Sequence, residues 1–145
     1  MDEKVTFFYK IENKDYVLPN NVKQYTNSFV LDKIYKLALE SGKYSKFRID
    51  KKFPIGSFER LYKKWVENSL NQSFGNIVYI YELNNDIVGL LTFKDEKEIG
   101  TISIISVDKN LRGKGIGSDL IKTAFYYYVE KNIFTITVST QKKMY

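Results

Sequence analysis

Three β-rich runs, Ile77 to Glu82, Ile87 to Phe93 and Thr101 to Val107, follow one another with almost nothing between them. Asn84-Asn85-Asp86 joins the first two and a charged DEKE segment joins the second to the third. Parallel neighbours need a crossover of a dozen residues or more, so connectors this short permit only an antiparallel meander. The sequence then changes character. DKNLRGKGIGS is followed by a helical stripe of Leu120, Ile121, Ala124, Phe125, Tyr128 and Val129, and then by a last β-rich run, Ile133 to Ser139. A strand joined to another through a helix is the grammar of a parallel crossover.

The first half supplies the remaining elements. Lys4 to Ile11 reads as a strand bounded by polar residues. Leu31, Ile34, Tyr35 and Ala38 fall on one helical face, and Ser41-Gly42 gives a stop signal. A second helix is predicted after Pro54, with Phe58, Leu61, Tyr62, Trp65 and Val66 as its apolar stripe. The expected order is strand, two helices, antiparallel meander, glycine loop, helix, strand. That is a mixed α/β sheet, and a chain of 145 residues makes it one domain, 1–145.

The chain has no Cys and no His. Disulfides, Cys/His zinc sites, thiol nucleophiles and imidazole bases are thereby excluded, and acid–base work falls to Asp, Glu, Tyr, Lys or water. The net charge of +6 suits a polyanionic small molecule. Lys63 and Lys64 alternate with Glu59 and Glu67 as on a solvated helix face, so nucleic acid is not the expected partner. No run is long and apolar enough for a membrane span and no leader opens the chain; the expectation is a cytoplasmic protein that does not engage a membrane.

Arg112-Gly113-Lys114-Gly115-Ile116-Gly117-Ser118 lies between a strand and a helix start. Glycines allow a tight turn and a close approach of backbone to an anion. The first amides of the helix carry the positive end of its dipole, and Arg112 and Lys114 add charge. This is the chemistry of a phosphate or pyrophosphate cradle. A P-loop would need Lys-Ser/Thr where Lys114-Gly115 stands, and a dinucleotide fingerprint would need G-x-G-x-x-G after a parallel strand; neither register fits. In the preceding strand, adjacent Ile104 and Ile105 break the alternation set by Ile102 and resumed by Val107. Two readings account for this: a β-bulge, or a strand buried on both faces.

The pattern R-x-x-G-x-G, carried by Arg112, Gly115 and Gly117, and the whole run TISIISVDKNLRGKGIG resemble the GCN5-related N-acetyltransferases. The resemblance implies acetyl-CoA as co-substrate, with no metal. It places the cofactor on Ile105, Val107, Arg112, Gly113, Lys114, Gly115, Ile116, Gly117 and Ser118. It also implies a bulged strand that splays from its neighbour, and direct attack of a neutral amine on the thioester. Backbone N–H groups of Ile105, Ser106 or Val107 are the candidate oxyanion donors; Glu82, Asp108 or a water chain are the candidate bases.

The stretch SGKYSKFRIDKKFPIGSFERLYKKWVENSL is similar to a narrower group, the TDP-fucosamine acetyltransferase-like enzymes, through Ser41, Gly42, Tyr44, Ser45, Phe47, Asp50, Leu61, Tyr62, Trp65 and Ser69. Lys46 stands where that group has Arg, so charge is kept without the bidentate fork. The implied acceptor is a nucleotide-linked amino sugar bound by Tyr44, Lys46, Phe47 and Arg48. Relatives continue past the last strand with T-Q-x-x-N-x-x-A-x-x-L-Y-x-x-x-G-F, of which Thr140-Gln141 is present and Met144 takes the Asn position. The expectations that follow are absent C-terminal strands, a missing Tyr acid, depressed turnover, and Ile133 to Ser139 as a bare edge open to homodimerisation. The alternative is a shortened relative that only binds coenzyme A.

Overall fold

The computed structural model describes residues 4–26, 32–41, 60, 63, 64, 67, 76–94 and 98–141. Its strands are β1 (Lys4–Lys10), β2 (Val22–Gln24), β3 (Asn76–Leu83), β4 (Asp86–Lys94), β5 (Gly100–Val107) and β6 (Thr135–Gln141). Its helices are α1 (Asp32–Ser41) and α2 (Ile116–Glu130). The six strands form one sheet in the order β1-β6-β5-β4-β3-β2. β3, β4 and β5 make the antiparallel meander, and β5 runs parallel to β6 across α2. Asn84 and Asn85, with φ of 52° and 64°, form the β3–β4 turn, because asparagine tolerates the left-handed region that a two-residue hairpin loop requires.

Helices α1 and α2 cover opposite faces of the sheet. Ile34, Leu37 and Ala38 of α1 pack on Val78, Ile80, Leu90 and Ile104. Ile116, Leu120, Ala124 and Tyr128 of α2 pack on Tyr79, Leu91, Phe93, Ile102 and Ile136. A sheet covered on both sides needs apolar residues at successive positions, which is why β3 to β5 read as near-continuous apolar runs. Tyr128 locks this packing. Its ring is fully buried, and its hydroxyl donates to the Lys94 carbonyl at 2.7 Å and accepts from the Thr101 N–H at 3.1 Å. A Cβ at Gly100 would lie 2.3 Å from that ring, so only glycine fits there.

Both readings of the broken strand hold in part. Thr92 opposes Ile104 while Phe93 opposes Ile102, so Ser103 is the extra, bulged residue. Ile102 accordingly belongs to the α2-side core and Ile104 to the α1-side core, whereas an unbroken strand would put them on one face. The adjacent Ile104 and Ile105 do not mark the bulge itself. They record burial on both faces, Ile105 having returned to the α2 side.

The N-terminal segment departs from expectation. β6 is not a bare edge: β1 pairs antiparallel along it from Lys4↔Gln141 to Lys10↔Thr135. The next residues lead to the opposite edge of the sheet, where β2 pairs with β3. On the way Ile11 donates to the Phe134 carbonyl at 2.7 Å, and Tyr16 and Leu18 pack against the α2-side core. Phe125 of α2 receives Tyr9 stacked at 5.3 Å and the edge of Tyr16 at 5.5 Å. Thus α1 follows the second strand rather than the first. The predicted second helix falls almost wholly outside the described residues; Arg60, Lys63, Lys64 and Glu67 are helical.

Candidate functional site

The site begins where β5 ends. Asp108 donates its N–H to the Val88 carbonyl at 2.8 Å, and its carboxylate accepts from the Asn110 N–H at 2.9 Å. That contact caps a single 3-10 turn, Lys109–Leu111, which turns the chain toward α2. Gly113 and Gly115 then adopt φ of 81° and 86°, and among the described residues no atom beyond their chain neighbours lies within 4 Å of the position a Cβ would take at either. Both glycines therefore have open space on the side a Cβ would fill, in a conformation that glycine enters without strain. Gly115 is the N-cap of α2 and has no side chain to satisfy the first amides, which stay available at the positive end of the helix. Buried Ile116 anchors this turn, while Arg112, Lys114 and Ser118 are exposed.

Gly89, which carries no motif, sets the height of that helix end. A Cβ there would come 2.9 Å from Tyr81 Cβ and 3.2 Å from both Ile116 Cγ2 and Leu120 Cδ1. Its bare backbone lets the first turn of α2 lie directly on β4. Gly117 is different: an added Cβ would meet only Val107 Cγ2, at 3.8 Å. The fold itself does not require glycine at 117.

Beside the loop lies a cleft. β6 keeps β1 beside it along its whole length, but β5 pairs with β6 only over Gly100–Ile102. Past the bulge the two parallel strands diverge. Peptide groups alternate in direction along a strand, and Asp108 N–H is turned to β4. The same parity turns Ser106 to β4, opposite Leu90, and turns the N–H and C=O of Ile105 and Val107 into the cleft. Of the three backbone candidates, Ile105 and Val107 face the opening and Ser106 does not.

Neither carboxylate candidate is placed as a base. The Asn110 N–H, and then the hydrogen bond and charge of Lys33, hold Asp108 below the ordinary carboxylate pKa. Lys33 Nζ reaches Asp108 Oδ2 at 3.3 Å and Asp86 Oδ2 at 3.5 Å, and the hydrogen bond to Asp108 is the main cause of its own raised pKa. A stabilised anion that caps a turn is a poor proton acceptor. Glu82 lies two strands away from β5 and is ion-paired with Lys23. Arg112 is turned toward α1, its Nη2 standing 3.3 Å from Glu40 Oε1. The loop is thus tied to both ends of α1, by Lys33 near the start and Glu40 near the finish. Neither Lys33 nor Glu40 is marked in the sequence, since nothing local signals a pairing across more than seventy positions. Tyr44, Lys46, Phe47 and Arg48 lie outside the described residues, as do Leu61, Tyr62, Trp65 and Ser69.

A splayed parallel pair beside an uncapped, glycine-led helix N-terminus is the geometry the motif implied, and the model of the Acetyltransferase (GNAT) family matches residues 31–144. The chain belongs to that family. As a GNAT member it is an N-acyltransferase. Solved GNAT-type structures share its mixed sheet. A possible acetyltransferase from Clostridium difficile 630 superposes with a TM-score of 0.66 at 18% identity, over 85% of this chain and 80% of that one. The PaiA N-acetyltransferase of Thermoplasma acidophilum, in complex with coenzyme A, gives 0.59 at 15% identity, over 77% and 74%. A GNAT family acetyltransferase from Elizabethkingia anophelis with acetyl-CoA bound gives 0.54 at 19% identity, over 79% and 62%. No curated protein sequence matches the chain. Membership of an acetyltransferase family does not favour the alternative of a protein that only binds coenzyme A. Among the described residues no helix is long and apolar enough to cross a membrane, and no cluster of acidic side chains could hold a metal ion.

Proposed function

We propose that the protein transfers the acetyl group of acetyl-CoA to a primary amine, with the nucleotide-linked amino sugars as the acceptor class. The observation that carries the first part is the juxtaposition of the α2 N-terminus with the cleft lined by Ile105 and Val107. The pyrophosphate would lie on the amides of Gly115 to Ser118, near Arg112 and Lys114, where dipole and charge both favour an anion. The pantetheine arm would run along β5 and borrow the strand hydrogen bonds that β6 gives up past Ile102. Two of the relatives hold acetyl-CoA or coenzyme A, which supports this reading.

The chemistry follows from that placement. The acceptor ammonium first loses a proton to water, since Asp108 and Glu82 are both engaged elsewhere. The neutral nitrogen attacks the thioester carbonyl carbon and a C–N bond forms. The carbonyl oxygen becomes an oxyanion, for which the N–H of Ile105 or Val107 is the donor on the cleft side. The C–S bond then breaks, the nitrogen gives up its second proton, coenzyme A leaves as its thiolate and takes up a proton, and the neutral amide remains on the acceptor.

The finer reading, an amino sugar on a nucleotide, is supported by the sequence of the segment Tyr44 to Arg48, where aromatic rings suit a base or sugar face and cations suit a diphosphate. Thiol release from acetyl-CoA, measured against TDP-amino sugars, polyamines and peptide amines, tests both parts. Release with the TDP-amino sugars above the others is the expected result. Preference for polyamines or peptides would overturn the acceptor class, and failure to bind acetyl-CoA would overturn the reading as a whole.

A further inference from the structure

Arg112 is the cation nearest the glycines on the β5 side of the loop, yet its guanidinium faces a carboxylate of α1. The contact is a single one, Arg112 Nη2 to Glu40 Oε1 at 3.3 Å, and both side chains are open to solvent, 52% and 30% exposed. A one-point, partly exposed ion pair is weak, whereas a guanidinium grips a phosphate through two parallel hydrogen bonds. The exchange of Glu40 for a phosphate is therefore favourable. Glu40 also brings negative charge to the edge of a site built to attract anions.

We propose that Glu40 is a competitor for Arg112 built into the fold. It holds the guanidinium while the loop is empty, yields it to the pyrophosphate of the incoming acyl-CoA, and recaptures it as coenzyme A departs, which speeds product release. The proposal rests on the acyl-CoA reading above. It assigns to Glu40 a positioning role whose sign differs from that of a merely structural contact. Loss of a structural contact loosens the loop and weakens binding. Loss of a competitor tightens binding.

The experiment is calorimetric titration with coenzyme A, together with dissociation rates, on the parent, Glu40→Gln, Arg112→Ala and the double variant; thermal unfolding checks that each is folded. Since exposed pairs are worth up to about 1 kcal/mol, Glu40→Gln should bind coenzyme A roughly two- to five-fold more tightly, through slower dissociation. In the Arg112→Ala background that gain should shrink. Glu40→Ala should reproduce the gain, so the result does not hang on one replacement. Equal or weaker binding by both Glu40 variants, or a gain undiminished without Arg112, overturns the proposal while leaving acyl-CoA binding in place. A parent that does not bind coenzyme A overturns the function itself.

Discussion

Gly117 and Gly115 are alike in sequence and unlike in structure, and the difference makes a clean test. Gly117 is in the helix and has room for a side chain, so Gly117→Val should fold like the parent. On the proposed placement of the cofactor, a branched side chain there would nonetheless stand between the pyrophosphate and the amides. Acetyl-CoA binding should weaken by about 2–4 kcal/mol, read by calorimetric titration, with the thermal midpoint little changed. Gly115→Ala forces a Cβ into the left-handed region and should cost roughly 1–2 kcal/mol of folding stability, visible in denaturant unfolding without any ligand. Asp108 makes a prediction of another kind. Its carboxylate is held below the ordinary range by Asn110 and then Lys33, so it contributes stability above that range. The contribution disappears as pH falls through the depressed pKa. Asp108→Asn should be less stable than the parent at neutral pH and should show a shallower loss on acidification, measured by unfolding across the acid range.

At the scale of elements, the contact between α2 and the β4–β5 hairpin depends on one tyrosine and one glycine far apart in the chain. Tyr128→Phe keeps the ring and removes the hydroxyl that serves the Lys94 carbonyl and the Thr101 N–H. Two half-buried backbone groups lose a partner, and a cost of about 1–3 kcal/mol is expected in equilibrium unfolding. Gly100→Ala pushes a methyl into the same ring and should cost about as much by overpacking. Neither change touches the loop, so affinity for coenzyme A in the folded fraction should be kept. The elements themselves, β2 excepted, were legible in the sequence. The meander, the crossover and the loop rest on local periodicity and on connector length, which tertiary contacts refine without reversing. The position of the bulge was not legible. Ser103 is an unmarked residue between two isoleucines, and only the opposing register of β4 shows which one is extra.

For the molecule as a whole, β1 decides what β6 can do. It covers an edge that would otherwise be free, and it leaves its own outer side as the end of the sheet, with Phe8 71% exposed. Lysines at positions 4 and 10 bracket that strand, as they do in edges that resist pairing with another sheet. Removal of residues 1–10 should uncover β6, lower the thermal midpoint and shift the protein toward dimers or aggregates by sedimentation; a monomeric, fully stable product would show that β1 is dispensable.

Sequence alone determined the first and last strands, the three strands of the meander and the helices α1 and α2, that the meander is antiparallel, that a crossover follows it, and that a glycine loop stands at its start. Each is written in spacing within a few residues, where side-chain period, glycine conformation and connector reach leave one solution. Tertiary structure alone decided that the first strand lies beside the last, that Gly89 lets α2 settle onto the sheet, that Ser106 faces away from the cleft, and that Asp108 and Arg112 answer to α1. These are pairings between distant positions. Strand edges and ion pairs accept many partners, and the choice falls to whichever arrangement buries the sheet on both faces at once.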